Sequence, residues 1–195
     1  RDAILGWLRE TDESHLEQLY AAADSRRKEH VGDGVHLRGL LEVSNYCSRG
    51  CTYCGLRAPN ADIPRYRMNS QEILDGARLA HSLGYGTVVL QGGEDRGVRC
   101  EALAELIRRI KSETALAVTL SLGERDYHEL REWRRAGADR YLLRFETSDP
   151  DLYCRIHPAS CERYAHRLEI LPRLRELGYE IGGGVMVGIP GQSYD

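Results

Sequence analysis

Apolar positions recur along this chain at two alternating spacings, one helical and one strand-like, and that alternation is its main structural signal. Residues 2–10 read as a short helix. A second helix starts from Asp12, with Leu16, Leu19, Tyr20 and Ala23 on one stripe and Gly32 beyond its end. Residues 35–43 form a β-type run, and 44–64 a loop rich in Cys, Gly, Asn and Pro. Asn69-Ser70-Gln71-Glu72 is a capping box opening a helix that ends near Leu83, before Gly84. Thereafter strands at 87–91, 117–121, 140–145 and 181–187 alternate with helices at 100–113, 126–136, 149–156 and 161–177. The helix at 100–113 shows its buried stripe plainly, as Leu103, Leu106, Ile107 and Ile110.

Strands joined by helices must run parallel, because a parallel pair needs a crossover. The expected fold class is therefore α/β, with five βα units. An open doubly wound sheet and a (βα)8 barrel both fit that count. Two features favour a partial TIM-type barrel. Cys47, Gly93, Glu94, Ser121, Glu146 and Gly188 all fall at or just beyond C-terminal strand ends, where a barrel gathers its site. Polar residues also recur at period two, as Thr119/Ser121 and Arg144/Glu146, which suggests a wet interior. The expected organisation is an N-terminal helical segment at 1–33 and a barrel core at 34–195. The remaining strands would lie beyond this sequence, which begins at Arg1 and reads as a piece of a longer protein. Strands one and five would then be edges.

Charge and composition narrow the partners. The 195 residues hold 27 Lys and Arg against 30 Asp and Glu, a net charge of −3, which argues against nucleic acid as the ligand. No apolar run approaches the ~18 residues of a membrane span, and no secretory signal is evident, so a cytoplasmic protein without membrane attachment is expected. In that setting the six cysteines are thiols, metal ligands or catalytic groups before they are disulfides.

Three of them carry the chemistry: Cys47-Ser48-Arg49-Gly50-Cys51-Thr52-Tyr53-Cys54. Three thiolates on one loop leaving a strand suit a cubane [4Fe–4S] cluster with one iron left open. A Cys3His zinc site completed by His36 or His81, and plain surface thiols, remain as alternatives. Cys100, Cys154 and Cys161 show no ligand spacing and read as inert thiols, and the seven histidines form no helical ligand pair.

The Cys-x3-Cys-x2-Cys string, with an aromatic before its last Cys and after the first barrel strand, resembles the radical S-adenosylmethionine (SAM) superfamily. Further stretches resemble its HydE branch, the [FeFe]-hydrogenase maturases, over biotin synthase and methylornithine synthase. They include Leu90-Gln91-Gly92-Gly93-Glu94-Asp95, Leu120-Ser121-Leu122-Gly123-Glu124, Tyr141-Leu142-Leu143-Arg144 and Met186-Val187-Gly188-Ile189-Pro190-Gly191. The resemblance implies an enzyme with a radical SAM core, in which Cys47, Cys51 and Cys54 hold a [4Fe–4S] cluster and SAM is cleaved reductively at its open iron. It implies that Tyr53 lies by the adenine, that Gly92, Gly93 and Glu94 receive the SAM amine, and that Glu146 holds the ribose hydroxyls. It pairs Arg167 with the SAM carboxylate, Arg163 being a rival, and brings Met186 near the base. Gln91, Thr119, Ser121 and Arg144 match positions lining the substrate cavity. Arg144 is expected there as a buried charge, with a partner such as Glu146. A small-molecule or organometallic substrate and an electron donor such as ferredoxin or flavodoxin are implied, whereas no catalytic side chain is. One departure stands out: Phe145 occupies a position where the HydE branch carries His. Other radical SAM chemistry, of the methylornithine or biotin synthase kind, and a non-catalytic iron–sulfur or zinc scaffold remain alternative readings.

Overall fold

The computed structural model describes residues 1–194. The chain groups into two compact units, one of residues 1–36 with 188–194 and one of residues 37–187.

In the first unit, α1 (Asp2–Leu8) is followed by α2 (Glu13–Val31), which is capped by the Asp12 carboxylate accepting from the amides of Ser14 and His15. The stripe expected to bury one face of α2 does not do so. Leu16 and Leu19 are half-buried, Tyr20 is exposed, and the helix is held by surface pairs such as Arg27 with Asp24 and Asp33. The Gly188-to-Gly191 turn belongs to this unit, closed by the Gly188 amide donating to Gln192 Oε1 at 2.7 Å.

The second unit carries a five-stranded, all-parallel sheet in chain order β1 (Gly39–Ser44), β2 (Thr87–Gly92), β3 (Ala117–Ser121), β4 (Arg140–Leu142) and β5 (Glu180–Gly182). The crossovers are α3 (Ser70–Ser82), α4 (Cys100–Glu113), α5 (Tyr127–Ala136), and α6 (Pro150–Ile156) with α7 (Tyr164–Glu176). Their starts obey local chemistry. The capping box at Asn69/Glu72 is formed, Asp126 and Glu129 form another, and the Asp149 carboxylate accepts from the amides of Asp151 and Leu152.

Alternation along the strands gives the sheet two faces. Val43, Val88, Leu90, Val118, Leu120 and Tyr141 point to the helices and are buried against Leu74 and Ala77 of α3, Ile107 and Ile110 of α4, and Trp133 of α5. The opposite face carries Leu40, Glu42, Val89, Gln91, Thr119, Ser121 and Arg140, and Leu40 is 54% exposed. A parallel sheet in strict sequential order, with α3, α4, α5 and α7 packed into the core on one side and a polar opposite face, is a partial TIM-type barrel.

Four boundaries differ clearly from the sequence expectation. β4, expected to run to 145, ends at Leu142. β1 begins at Gly39, not residue 35, because Val35 and Leu37 stay in solvent and the ladder starts where the backbone passes close to Ala80. β5 ends at Gly182, not 187: beyond it the pairing is irregular, the Phe145 and Glu146 amides sharing the Gly184 carbonyl, and only one isolated bridge, Glu146 to Val185, remains. The helix expected at 161–177 opens as a 3-10 turn, Cys161–Arg163, before α7.

Candidate functional site

The loop after β1 is tied down before it reaches the cysteines. Arg65 donates to four loop carbonyls, those of Asn45, Leu56, Arg57 and Asn60. Arg67 forms a fork with Asp95, which also accepts from Ser44 Oγ and the Gly97 amide, both at 2.7 Å. Burial would push the Asp95 carboxyl up, but these donors outweigh it and hold it down at about 2.

Cys47, Cys51 and Cys54 are free and half-buried, and all three line one cavity beyond the C-terminal ends of the strands. Gly92 and Gly93, from the end of β2, form its floor. A Cβ on Gly93 would overlap Tyr46 O and crowd Cys47 Cβ, so the loop rests directly on bare backbone. Gly123, at φ +74°, leaves the space that Glu94 fills. Among the described residues no three Cys, His, Asp or Glu side chains close on a single metal ion, and His81 sits on the exposed side of α3. Three free sulfurs spread along the wall of one cavity, with small residues beneath them, fit a polynuclear core rather than a closed tetrahedral zinc site.

The other wall is electrostatic. Arg49 pairs with Glu94 and, at 3.1 Å, with Glu124. Arg167 reaches Glu94 at 3.1 Å, Glu124 at 3.0 Å and the Arg144 carbonyl at 2.6 Å. Arg163 joins Glu124 at 2.7 Å, and His166 Nδ1 lies 3.1 Å from the same carboxylate oxygen. Three guanidiniums thus face two carboxylates, a surplus of positive charge suited to an anionic group. Burial works against ionised Glu124, yet Arg163, Arg49 and Arg167 together hold its carboxyl below the usual range. Glu146 is the opposite case: burial pushes its carboxyl up, Arg167 and Arg144 offsetting only part. Its left-handed backbone costs about 1–3 kcal/mol, strain of a kind that gathers at functional sites.

Most expected residues meet here. Cys47, Cys51, Cys54, Tyr53, Gly92, Gly93, Glu94, Ser121, Arg144, Glu146 and Arg167 all border the cavity. Arg163 does not; it lines the neighbouring pocket with Glu124 and Arg125. Met186 does not either; its amide donates to the Glu146 carbonyl at 2.8 Å. Gln91 is engaged on the polar face by Glu42, and Thr119 lies one layer further down, its buried Oγ1 without a partner among the described residues. Arg144 is exposed, not the expected buried charge, because β4 has already ended and its side chain lies along the rim. Cys154 and Cys161 are joined as a disulfide, contrary to their reading as separate inert thiols, because the turn after α6 brings their Cα atoms to 4.5 Å.

Arg49, Glu124, Tyr153, His157 and Ser160 also belong to this site and were not expected. Tyr53 Oη meets His157 Nε2 at 3.0 Å, and Tyr153 stacks on the His157 ring at 4.1 Å. Burial pushes the Tyr53 hydroxyl up and the His157 imidazole down, so both are neutral near pH 7. Arg49, inside the Cys-x3-Cys spacing, and Glu124, three residues past β3, were the findable ones.

Comparison with known proteins assigns the class. The Radical SAM superfamily profile matches residues 41–195, and the chain belongs to that superfamily, whose enzymes use a [4Fe–4S] cluster and SAM. Within it, the chain is 45% identical over 197 residues to the [FeFe] hydrogenase maturase subunit HydE of Thermotoga maritima, covering 100% of this chain and 55% of that protein. It is 30% identical over 179 residues to 3-methylornithine synthase of Methanosarcina acetivorans, covering 91% and 50%. The crystal structure of methylornithine synthase (PylB) superposes with a TM-score of 0.83 at 29% identity, covering 92% of this chain and 53% of that one. The chain spans about half the length of the curated relatives it matches.

Proposed function

We propose that the protein to which this chain belongs is a HydE-type radical SAM enzyme acting in [FeFe]-hydrogenase maturation, with Cys47, Cys51 and Cys54 holding a [4Fe–4S] cluster and SAM beside it. The observation that carries the proposal is the joint presence of three free thiols, Glu94, Glu146 and Arg167 around one cavity. When bound, the cluster supplies one electron to break a carbon–sulfur bond of the SAM sulfonium. The chain's residues do the rest. Arg167 presents a half-buried fork for the SAM carboxylate, drawing on donors now turned to Glu94 and Glu124. Glu94 and the bare Gly92 and Gly93 backbone receive the amine. Glu146, fixed at the mouth of β4, accepts from the ribose hydroxyls. Tyr53, held by His157, closes the adenine side and excludes water. Met186 supports this arrangement through the Glu146 carbonyl.

Gln91, Thr119, Ser121 and Arg144 define the substrate side, for a small-molecule or organometallic substrate. A soluble one-electron donor such as ferredoxin or flavodoxin, and a cytoplasmic setting, complete the reading. No helix among the described residues is long and apolar enough to cross a membrane. The HydE assignment over methylornithine or biotin synthesis rests on 45% against 30% identity.

Anaerobic reconstitution of the full-length protein should give ~4 Fe and ~4 sulfide per cluster, and SAM with reductant should yield 5′-deoxyadenosine. Cys51→Ala should abolish both. Zinc retained without visible absorbance, or full turnover by that variant, overturns the proposal.

A further inference from the structure

Two cysteines outside the cavity stand directly behind its wall. Cys154, in α6, and Cys161, which opens the 3-10 turn, form a disulfide. Neither borders the cavity, but His157 and Ser160, inside the loop they close, both do. That closed loop is the surface on which the cysteine loop leans. The Thr52 amide donates to Ile156 O at 3.0 Å, and Tyr53 Oη meets His157 Nε2 at 3.0 Å. Arg49 Nη1 donates to Ser160 Oγ at 3.4 Å, and a Cβ on Gly50 would touch Ala159 at 3.5 Å. Residues 49, 50, 52 and 53, all between Cys47 and Cys54, therefore each meet a residue lying between Cys154 and Cys161.

We propose that Cys154 and Cys161 are a reversible thiol–disulfide couple whose oxidised form fixes segment 156–160 and, through it, the loop carrying Cys47, Cys51 and Cys54. The oxidant is a small-molecule disulfide. One cysteine thiolate attacks it, forming a mixed disulfide and releasing one small thiol. The second thiolate then attacks the protein sulfur of that mixed disulfide, forming the Cys154–Cys161 bond and releasing a second thiol. Two electrons pass from the protein pair to the small disulfide, whose two thiols carry away the two protons. Both cysteines are half-buried rather than enclosed in the core. Closing the loop removes conformations in which segment 156–160 swings off the cysteine loop, and opening it restores them. The consequence for the cluster rests on the reading above, whereas the couple and its grip on Thr52 and Tyr53 stand on the fold alone.

The test uses metal-free full-length protein, equilibrated under argon with mixtures of oxidised and reduced glutathione, quenched with iodoacetamide and mapped by peptide mass. Cys154 and Cys161 should become protected together, as one linked peptide pair, while Cys100 stays alkylated. Hydrogen exchange at the Thr52 amide should then be about tenfold faster in the reduced protein and in Cys154→Ser/Cys161→Ser than in the oxidised protein. Independent alkylation of the two cysteines, their pairing with other cysteines, or unchanged Thr52 exchange on opening the bond overturns the proposal. A protein that cleaves SAM but lacks this response sinks the couple alone. One that shows the couple without forming 5′-deoxyadenosine sinks the enzyme reading alone.

Discussion

The two sides of the sheet are built from different materials. Toward the helices, Val88, Leu90, Val118, Leu120 and Tyr141 pack on Ile107, Ile110 and Trp133 with almost no exposed surface. At the C-terminal rim and on the open face, order comes from charge and hydrogen bonds: Arg67 with Asp95, Arg49 and Arg167 with Glu94 and Glu124, Gln91 with Glu42. Apolar packing is indifferent to pH and is not screened by salt, whereas ionic ties respond to pH and weaken as salt screens them. The helix side should therefore set the stability of the unit, and the rim its response to conditions.

The largest effect is expected on the helix side. Trp133 is fully buried, and its Nε1 donates to the Cys100 carbonyl at 3.0 Å. Trp133→Ala should cost about 3–5 kcal/mol in urea denaturation, by the same amount at pH 5 and pH 7. A loss under about 1 kcal/mol would mean the ionic side carries the fold, and would invert the comparison.

Next comes the rim tie at Asp95. Its folded pKa, about 2, lies below the unfolded carboxylate value near 3.9. A depressed carboxyl contributes stability that is complete above the unfolded value and is lost as pH falls through the folded one. The gap between wild type and Asp95→Asn should thus be about 2 kcal/mol from pH 5 to 7 and close between about pH 4 and 2. A gap that stays constant across that window would show Asp95 to act by packing alone.

Glu124 has a side chain only 2% exposed, inside three guanidiniums. Glu124→Gln keeps the shape and removes the charge, leaving Arg49, Arg163 and Arg167 without their shared counter-ion. A loss of about 1–2 kcal/mol is expected, smaller than for a deeply buried pair because Arg163 is partly solvated. Chemical denaturation in low and high salt checks it, and a loss indifferent to salt would place Glu124 with the packing residues.

The same division explains what the sequence reveals. Helix-side structure is written locally: the Asn69/Glu72 box opens α3, the Leu103-to-Ile110 stripe marks α4, and β3 spans 117–121 as its apolar alternation requires. The three-thiol string marks the site for the same reason, since its spacing lies within eight residues. What is not legible joins distant residues. Arg49 finds Glu94 45 residues on, and Tyr53 finds His157 104 residues on, so neither pairing leaves a local trace. The α2 stripe misleads because periodicity shows that a face can be buried, not that anything buries it. β5 reads too long because nothing in the glycine run announces that the Phe145 and Glu146 amides share one carbonyl, that of Gly184, and so break the regular ladder.

The smallest effect tests the open face itself. Thr119 is 8% exposed on the polar side of β3, and its Oγ1 has no hydrogen-bond partner among the described residues. On the helix side such an orphan would cost about 1–3 kcal/mol. Here it sits beside Val89 and Arg140 on the open face, away from the packed core. Thr119→Val replaces the hydroxyl with a methyl of similar volume and suits a strand equally well. It should change unfolding stability by no more than about 0.5 kcal/mol, in the stabilising direction, while altering substrate handling in the full-length enzyme. A destabilisation above about 1 kcal/mol would show that the hydroxyl has a structural bond, and would move Thr119 to the packing side of the comparison.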